Sequence, residues 1–157
     1  MIRSTRPDDI SALIALAVAA EMFPVDDTSV LDKMFADYFG REFNNGDVCV
    51  TDDDGGPVAI AYFSPAAATD RVWYLVMIGV HPDFQGQGRG TLLLQNVENA
   101  LRSRKQRLLL VETSGLPSYE RTRAFYLKCG YEEEARIRDY YEAGEDMVVF
   151  RKALDVS

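Results

Sequence analysis

The sequence predicts an α/β (α+β) fold in which helices cover the faces of one mixed β-sheet. Three observations lead to this prediction. The chain has 157 residues, of which 47% are hydrophobic, and this size and composition suit one core. Its segments follow the order strand, two helices, three strands, helix, strand, helix and two strands. No repeat or linker interrupts that order, so residues 1–157 are expected to form a single domain.

The first third of the chain predicts an edge strand and two helices. Residues 2–5 suit a short strand, and Pro7 with the acidic residues after it suits the first turn of a helix. Apolar residues then recur at helical spacing. A second helix is predicted for residues 28–43, and Asn44 and Asn45 end it with side chains that favour turns.

The middle of the chain predicts three strands and a helix. Residues 47–51 and 57–64 suit two strands joined by a hairpin turn. Residues 71–80 are rich in β-branched and aromatic side chains and predict a longer, central strand. A glycine-rich turn follows, and it leads to a helix over residues 90–103.

The last third predicts a strand, a helix and a closing hairpin. The strand covers residues 108–113, and the helix covers residues 118–129 with a serine as its N-cap. Gly130 supplies the stop after that helix. Two strands are predicted for residues 137–141 and 147–152, around a turn that contains glycine.

The charge balance argues against nucleic acid as a partner. The chain has 17 basic and 25 acidic residues, which gives a formal net charge of −8. Proteins that bind nucleic acid usually carry the opposite balance. An acidic surface attracts cationic ligands, although a charge of this size also serves solubility alone.

No pattern indicates a metal site, a disulfide or a membrane segment. His81 is the single histidine, and Cys49 and Cys129 lie far apart in apolar surroundings, so free thiols are expected. The start of the chain lacks an apolar leader, and the apolar run over residues 10–20 is too short to cross a bilayer. We therefore expect a cytoplasmic protein without membrane or metal.

Residues 80–91, VHPDFQGQGRGT, carry the clearest functional signal. They join the predicted central strand to a helix, and such a turn points several backbone N–H groups at one spot. The helix dipole adds partial positive charge there. Gly86, Gly88 and Gly90 let a ligand approach the backbone closely. The segment therefore predicts a site for a phosphate or pyrophosphate.

Two familiar phosphate-binding turns fit this segment poorly. The P-loop needs Lys and then Ser or Thr after its last glycine, whereas Thr91 and Leu92 follow Gly90. The dinucleotide fingerprint needs glycine at its sixth position, where Thr91 stands, and it normally follows the first strand. Glu112, at the end of the next predicted strand, keeps a dinucleotide-binding protein open as an alternative.

A third pattern fits. Residues 85–90 match Gln/Arg-x-x-Gly-x-Gly/Ala after a strand that ends in Val-x-Pro, and residues 125–131, FYLKCGY, match Phe-Tyr-x-x-x-Gly-Phe/Tyr. Together these segments resemble the GNAT superfamily of acetyl-CoA-dependent N-acetyltransferases, and the element order is similar along nearly the whole chain. The resemblance implies a mostly antiparallel central sheet, helices on both faces and a splayed pair of central strands.

The resemblance also implies where acetyl-CoA binds. Backbone N–H groups of the glycine turn would hold the pyrophosphate, and side-chain identity would matter least at Gln87 and Arg89. The end of the long strand would pair with the pantetheine arm like an added strand. The end of the following strand would line the far side of the gap. The implied cofactor-binding residues are Ile78, Gly79, Val80, Gln85, Gly86, Gln87, Gly88, Arg89, Gly90, Thr91, Thr113, Ser114 and Tyr126.

By the same resemblance, Tyr126 is the general acid that protonates the departing CoA thiolate, and its alternative is a core aromatic. The long strand contains no carboxylate, so Glu112 is the first candidate for the general base, ahead of Glu142 and Asp139. A chain of water molecules is the other option. The family often has Asn where Tyr119 stands, which leaves one contact to CoA without a counterpart. Transfer is expected to be direct, without a cysteine intermediate.

The acceptor is expected to be a primary amine of a small molecule or, less favoured, of a peptide. Residues 22–43 and the hairpin over residues 138–146 are the expected specificity segments, with Phe35, Tyr38, Tyr140 and Tyr141 as candidate contacts. The missing strand carboxylate leaves open a module that binds CoA without transferring acetyl groups. Folds of this kind often pair through their last strands, which is compatible with a homodimer.

Overall fold

A computed structural model describes residues 1–40 and 46–154. Its elements are β1 (Ile2–Ser4), α1 (Ile10–Ala19), α2 (Ser29–Gly40), β2 (Val48–Asp53), β3 (Pro57–Pro65), β4 (Val72–Val80), α3 (Arg89–Ser103), β5 (Leu108–Ser114), α4 (Glu120–Lys128), β6 (Glu132–Glu142) and β7 (Glu145–Ala153). Short 3-10 turns at Pro7–Asp9, Pro82–Phe84 and Pro117–Tyr119 each begin with proline, whose missing N–H is tolerated there. None of the described helices has the length and apolar character needed to cross a bilayer.

The described strands form one seven-stranded sheet in the order β1-β2-β3-β4-β5-β7-β6. All neighbouring strands run antiparallel except β4 and β5, which run parallel. This confirms the prediction of a mixed, mostly antiparallel sheet. It also removes the dinucleotide-binding alternative, because that fingerprint belongs to a doubly wound parallel sheet.

The two central strands separate halfway along their length. β4 and β5 pair only from Val72 with Leu108 to Leu75 with Val111. Beyond that point, residues 77–80 of β4 pair with β3 alone, Val76 lies at a register shift, and residues 112–114 of β5 pair with β7 alone. The predicted splay is therefore confirmed, and it opens a gap through the middle of the sheet. Val76, which is 54% exposed, stands at the start of this gap.

Helices pack on both faces of the sheet, as predicted. One face carries α3 and α4, whose buried side chains join a cluster around β3, β4, β5 and β7. The other face carries α1 and α2, which cover a second cluster on β2, β3 and β4. The helix side chains in these two clusters are Leu93, Leu94, Val97, Leu101 and Tyr126 on the first face, and Leu13, Leu16, Ala17, Leu31 and Phe35 on the second.

Several element boundaries differ from the prediction. β6 begins at Glu132 instead of residue 137, because its first residues are charged and the whole strand is exposed, so no apolar alternation marks it. α4 begins at Glu120, and Ser118 lies in the preceding 3-10 turn without capping the helix. The predicted end of the second helix at residues 41–43, and the turn at Asn44 and Asn45, lie outside the described residues.

Candidate active site

A cleft of about 1100 Å³ lies between α3, α4 and the separated end of β4. Most of the predicted cofactor-binding residues line it: Ile78, Gly79, Val80, Gln85, Gly86, Gly88, Arg89, Gly90, Thr91 and Tyr126. Gln87, Thr113 and Ser114 do not line it. The cleft is therefore continuous from the glycine turn to the gap in the sheet.

The glycine turn presents a row of free donors to this cleft. The six backbone N–H groups from Gly86 to Thr91 donate no hydrogen bond to any group in the described ranges. Gly86 and Gly88 have φ of +73° and +80°, which favours glycine, and a Cβ at either position would meet nothing within 4 Å. Because α3 begins at Arg89, these donors also lie at the positive end of its dipole. The turn thus has the free donors, the open space and the partial positive charge that suit an anion.

Two side chains of the turn, those of Gln85 and Arg89, hold it against the rest of the protein. Gln85 Nε2 donates to the carbonyl of Val80 at 2.9 Å. The Arg89 guanidinium donates to Asp52 at 3.0 Å and to Asp54, and it stacks over the Phe84 ring at 5.1 Å from the centroid. The Arg89 side chain therefore ties the turn to the hairpin between β2 and β3, a structural role that the sequence did not predict.

A second cavity, of about 480 Å³, opens toward the other face of the sheet. Its walls come from the turn after α1, the separated ends of β4 and β5, and the start of α4. The cleft and this cavity share five lining residues: Ala20, Met22, Ile78, Thr122 and Tyr126. The two spaces therefore meet at the gap between β4 and β5. Met22 and Phe23 of this turn belong to the segment predicted for specificity, residues 22–43, whereas Ala20 and Glu21 were missed because only tertiary packing brings them there.

Tyr126 lies at this junction. Its ring packs against Phe125, Tyr131 and Phe150 with centroid distances of 5.3, 5.8 and 5.6 Å, and the side chain is 4% exposed. No group in the described part of the chain hydrogen-bonds its hydroxyl. Every fully buried side-chain oxygen in the described residues has a hydrogen-bond partner. Because the Tyr126 hydroxyl has none, it is not fully buried and reaches the open space. Burial raises the pKa of Tyr126 above its ordinary value near 10, so the phenol stays protonated.

The predicted base and the end of β5 fall on the second cavity. Glu112 and Thr113 both line it, and Glu112 is exposed. Ser114 lines neither space, because its hydroxyl accepts from the Leu116 N–H at 3.1 Å and its carbonyl accepts from Arg123 at 2.8 Å. The expected contact of Ser114 with the cofactor is therefore replaced by a role in holding the loop after β5.

The other candidate bases are placed elsewhere. Asp139 and Glu142 line neither space. The Asp139 carboxylate accepts from the Gly144 N–H at 2.8 Å and so stabilises the turn between β6 and β7. Among the residues described, Glu112 is therefore the one predicted base that lines the second cavity.

The four predicted substrate contacts do not converge. Phe35 is 1% exposed in the core beneath α2, so it has no surface to offer a substrate, and that prediction is wrong. Tyr38 packs edge-on against Tyr62, with ring centroids 5.6 Å apart, and lines neither space. Tyr140 and Tyr141 form an exposed pair on β6 with centroids 5.1 Å apart. Partial burial, with the nearby Glu112 charge, raises the pKa of Tyr141, although neither tyrosine lines the cleft or the second cavity.

The two spaces carry opposite charge. The basic residues that line the cleft are Arg89, Arg102, Arg121, Lys128 and Lys152. Its one carboxylate, Glu98, is buried and accepts from Lys152 at 3.0 Å and from Tyr131 at 2.7 Å. Arg121 and Lys128 have no ion pair among the described residues. The sequence analysis missed both, although their spacing of seven places them on one face of α4. By contrast, the only charged residues that line the second cavity are carboxylates.

A family model described as an acetyltransferase (GNAT) domain matches residues 44–133. An amino-acid acetyltransferase of Azotobacter vinelandii is 26% identical over 153 residues, which cover 98% of this chain and 34% of that protein. The chain thus spans about a third of the length of this curated relative.

Solved structures agree with this match. A protein from Desulfovibrio desulfuricans, assigned to the same family, superposes with a TM-score of 0.91 at 28% identity over 98% of both chains. The ribosomal-protein-S18-alanine N-acetyltransferase of Escherichia coli has a TM-score of 0.78 at 22% identity, over 100% of this chain and 95% of that one. An aminoglycoside 6′-N-acetyltransferase complexed with coenzyme A has a TM-score of 0.78 at 16% identity, over 100% of this chain and 98% of that one. The last two likenesses concern the fold.

Proposed function

The chain belongs to the GNAT family of acetyltransferases, and from this premise we propose that it moves the acetyl group of acetyl-CoA directly to a primary amine. The cleft on the α3–α4 face takes acetyl-CoA, and the cavity on the other face takes the amine. The observation that carries this proposal is the meeting of the two spaces at Tyr126, through the gap between β4 and β5. Nucleophile and acyl donor approach each other there from opposite sides of the sheet.

The cleft suits the three parts of acetyl-CoA. The free N–H groups of the glycine turn match a pyrophosphate. The edge of β4 over residues 76–80 has no partner strand on the side of β5, so it offers backbone groups to the amide-bearing pantetheine arm. Arg121 and Lys128, which have no ion pair among the described residues, supply positive charge for the remaining phosphate.

The residues at the junction suit acetyl transfer. Acetyl-CoA supplies an activated acetyl group and a thiolate leaving group. Tyr126 holds a proton that its raised pKa retains, and its hydroxyl can donate that proton to the departing sulfur. Glu112 lines the amine side and can accept the proton that the attacking ammonium must lose.

Direct transfer fits the positions of the two thiols. Cys49 is buried in the core on the α1–α2 face, where burial raises its pKa to about 11, so it is a poor nucleophile. Cys129 lines the cleft at the end of α4, and it does not line the amine cavity. With both reactants held side by side, positioning lowers the barrier without a covalent intermediate.

Calorimetric titration with acetyl-CoA tests the donor site. We expect saturable binding by the wild-type protein and at least about tenfold weaker binding by Gly88→Ala, because a Cβ there enters the space that the pyrophosphate would fill. Gly144→Ala is the matched control, since Gly144 also has a positive φ and open surroundings but lies in the turn between β6 and β7. Both variants carry the same type of backbone strain.

Two results would count against the proposal. Absence of acetyl-CoA binding at millimolar concentration would remove the donor site. Equal loss of binding in both glycine variants would reduce the effect of Gly88→Ala to general strain. If acetyl-CoA binds but no tested amine causes release of the CoA thiol, the chain is a CoA-binding module without transferase activity.

We further propose that two copies pair through β6. All residues of this edge strand are exposed. An antiparallel pair centred on Ala135 would place Glu134 opposite Arg136, and Glu132 opposite Arg138, of a second copy. We expect a dimer in analytical ultracentrifugation that Glu132→Arg with Glu134→Arg converts to monomer, and a monomeric wild-type protein would refute the pairing.

A further inference from the structure

The amine cavity contains no positive group. Fifteen residues line it, and Glu21 and Glu112 are the only charged ones, with no Lys, Arg or His among them. Two basic side chains on the nearby loop and hairpin are already bound elsewhere. Arg123 donates to two backbone carbonyls, and Arg136 donates to Asp146 at 2.8 Å. Among the residues that line the cavity, a ligand carboxylate would therefore find no counterion.

Both carboxylates are available to a ligand. Neither Glu21 nor Glu112 makes an ion pair or accepts a hydrogen bond within the described residues. Glu21 is exposed in the turn after α1, where it has a φ of +58° and its N–H donates to the Val18 carbonyl at 3.0 Å. Glu112 stands on the separated end of β5. The two residues thus bring negative charge to the cavity from two elements of the fold.

An independent feature shows that this space is built for a ligand. Tyr126 is more than nine-tenths buried, yet its hydroxyl has no partner in the described part of the chain and reaches the junction of the two spaces. Phe23 and Tyr119 also line the cavity, and aromatic faces beside carboxylates favour cations. A phenol hydroxyl that reaches the cavity without a protein partner, two free carboxylates and aromatic walls together describe a site for a cationic molecule.

We propose that the acceptor is a small aliphatic amine that carries a second positive charge and no carboxylate, of the diamine class. This inference rests on the function proposed above. One amino group reaches the junction at Tyr126, and the second ammonium stays beside the free carboxylates. An α-amino acid fits poorly, because its carboxylate would face two like charges without a compensating cation.

A pair of compounds that differ by one group tests the proposal. Lysine has the skeleton of 1,5-diaminopentane with an added α-carboxylate, so the two isolate the effect of that charge. We expect kcat/KM for the diamine to exceed that for lysine by at least about tenfold, measured as thiol release at saturating acetyl-CoA. Pentylamine, which lacks the second ammonium, should fall severalfold below the diamine. Equal or better use of lysine would overturn the proposal.

Variants connect this preference to the named carboxylates. Glu21→Gln should raise KM for the diamine severalfold, because Glu21 holds the second ammonium. It should leave kcat nearly unchanged, because Glu112 and not Glu21 is the proposed base. Glu120→Gln is the control, since Glu120 is exposed on α4 and lines neither space. The KM effect should also weaken at high salt, as exposed charges are screened. Identical KM values for the two variants would contradict the assignment.

A binding measurement separates this inference from the function on which it rests. Titration of 1,5-diaminopentane and of lysine into CoA-loaded protein reports acceptor binding without turnover. Acetyl-CoA binding together with tighter binding of lysine, or with no binding of the diamine, overturns the acceptor class alone. Failure of acetyl-CoA itself to bind overturns the proposed function first.

Discussion

Replacing Tyr126 with Phe removes one oxygen atom from the junction of the two spaces. The ring keeps its packing against Phe125, Tyr131 and Phe150, with centroid distances below 6 Å. The hydroxyl has no hydrogen-bond partner among the described residues, so no group is left unsatisfied. We therefore expect the free energy of unfolding to change by less than about 0.5 kcal/mol.

The catalytic effect of the same substitution should be large. A positioned general acid contributes about 10² to 10⁴ in rate, which corresponds to about 2.7 to 5.4 kcal/mol of activation free energy. We expect Tyr126→Phe to lower kcat by about 10² to 10⁴ relative to the wild type. The calorimetric affinity for acetyl-CoA should stay within about twofold of the wild-type value. The assay is thiol release at saturating acetyl-CoA and amine, at a temperature where both proteins are fully folded.

Tyr131→Phe is the matched control, and it should give the opposite result. Tyr131 is 3% exposed and lines neither space, and its hydroxyl donates to the buried carboxylate of Glu98 at 2.7 Å. Loss of a hydrogen bond to a charged group costs about 2 kcal/mol, which lowers Tm by about 4 to 8 °C for a chain of this size. The kcat of the folded variant should match that of the wild type.

The comparison has a clear failure condition. If Tyr126→Phe keeps kcat within about threefold of the wild type, Tyr126 is a core aromatic and the general acid lies elsewhere. If Tyr126→Phe loses as much stability as Tyr131→Phe, the Tyr126 hydroxyl has a structural partner in the wild-type protein. The hydroxyl would then not be free to act on a ligand.

Three further outcomes are expected. Gly79→Ala should cost about 1 to 3 kcal/mol of stability in urea unfolding, because the added Cβ would lie 2.6 Å from the Met22 sulfur, and Met22→Ala in the same chain should restore part of that loss. Asp9→Asn should lower the free energy of unfolding by about 1 to 3 kcal/mol near neutral pH, because it removes the ion pair of Asp9 with Arg3 at 2.7 Å. This pairing holds the pKa of Asp9 below its usual range. That contribution is present above about pH 4 and is lost as pH falls toward the lowered pKa, so thermal unfolding of variant and wild type should converge in acid. Because burial raises the pKa of Tyr126, the pH profile of kcat should show no descending limb between about pH 7 and 10, and a limb with a midpoint near 10 would contradict the acid role.

Local patterns in the sequence were enough to predict the donor site. Positive φ at Gly86 and Gly88, a helix that begins at Arg89 and a strand that ends at Val80 are all set by residues close together in the chain. The helix over residues 118–129 likewise marked Tyr126 by local spacing and resemblance. Local patterns also predicted the order of the described helices and strands, although not all of their ends, and no apolar alternation marks the exposed strand β6.

Long-range packing decided the acceptor side, and the sequence does not encode that packing in any short window. Phe35 stood out as a candidate substrate contact and Glu112 as a candidate base, but packing buries the first beneath α2 and places the second at the second cavity. Glu21 carried no signal, because its role depends on the turn after α1 lying against strands that are more than fifty residues away in the chain. The divergence of β4 from β5 creates both spaces, and it arises only when the full sheet assembles. Spacing along the chain thus determined which backbone groups are offered to a phosphate, whereas the split of the sheet decided which carboxylates and which phenol surround the proposed amine cavity.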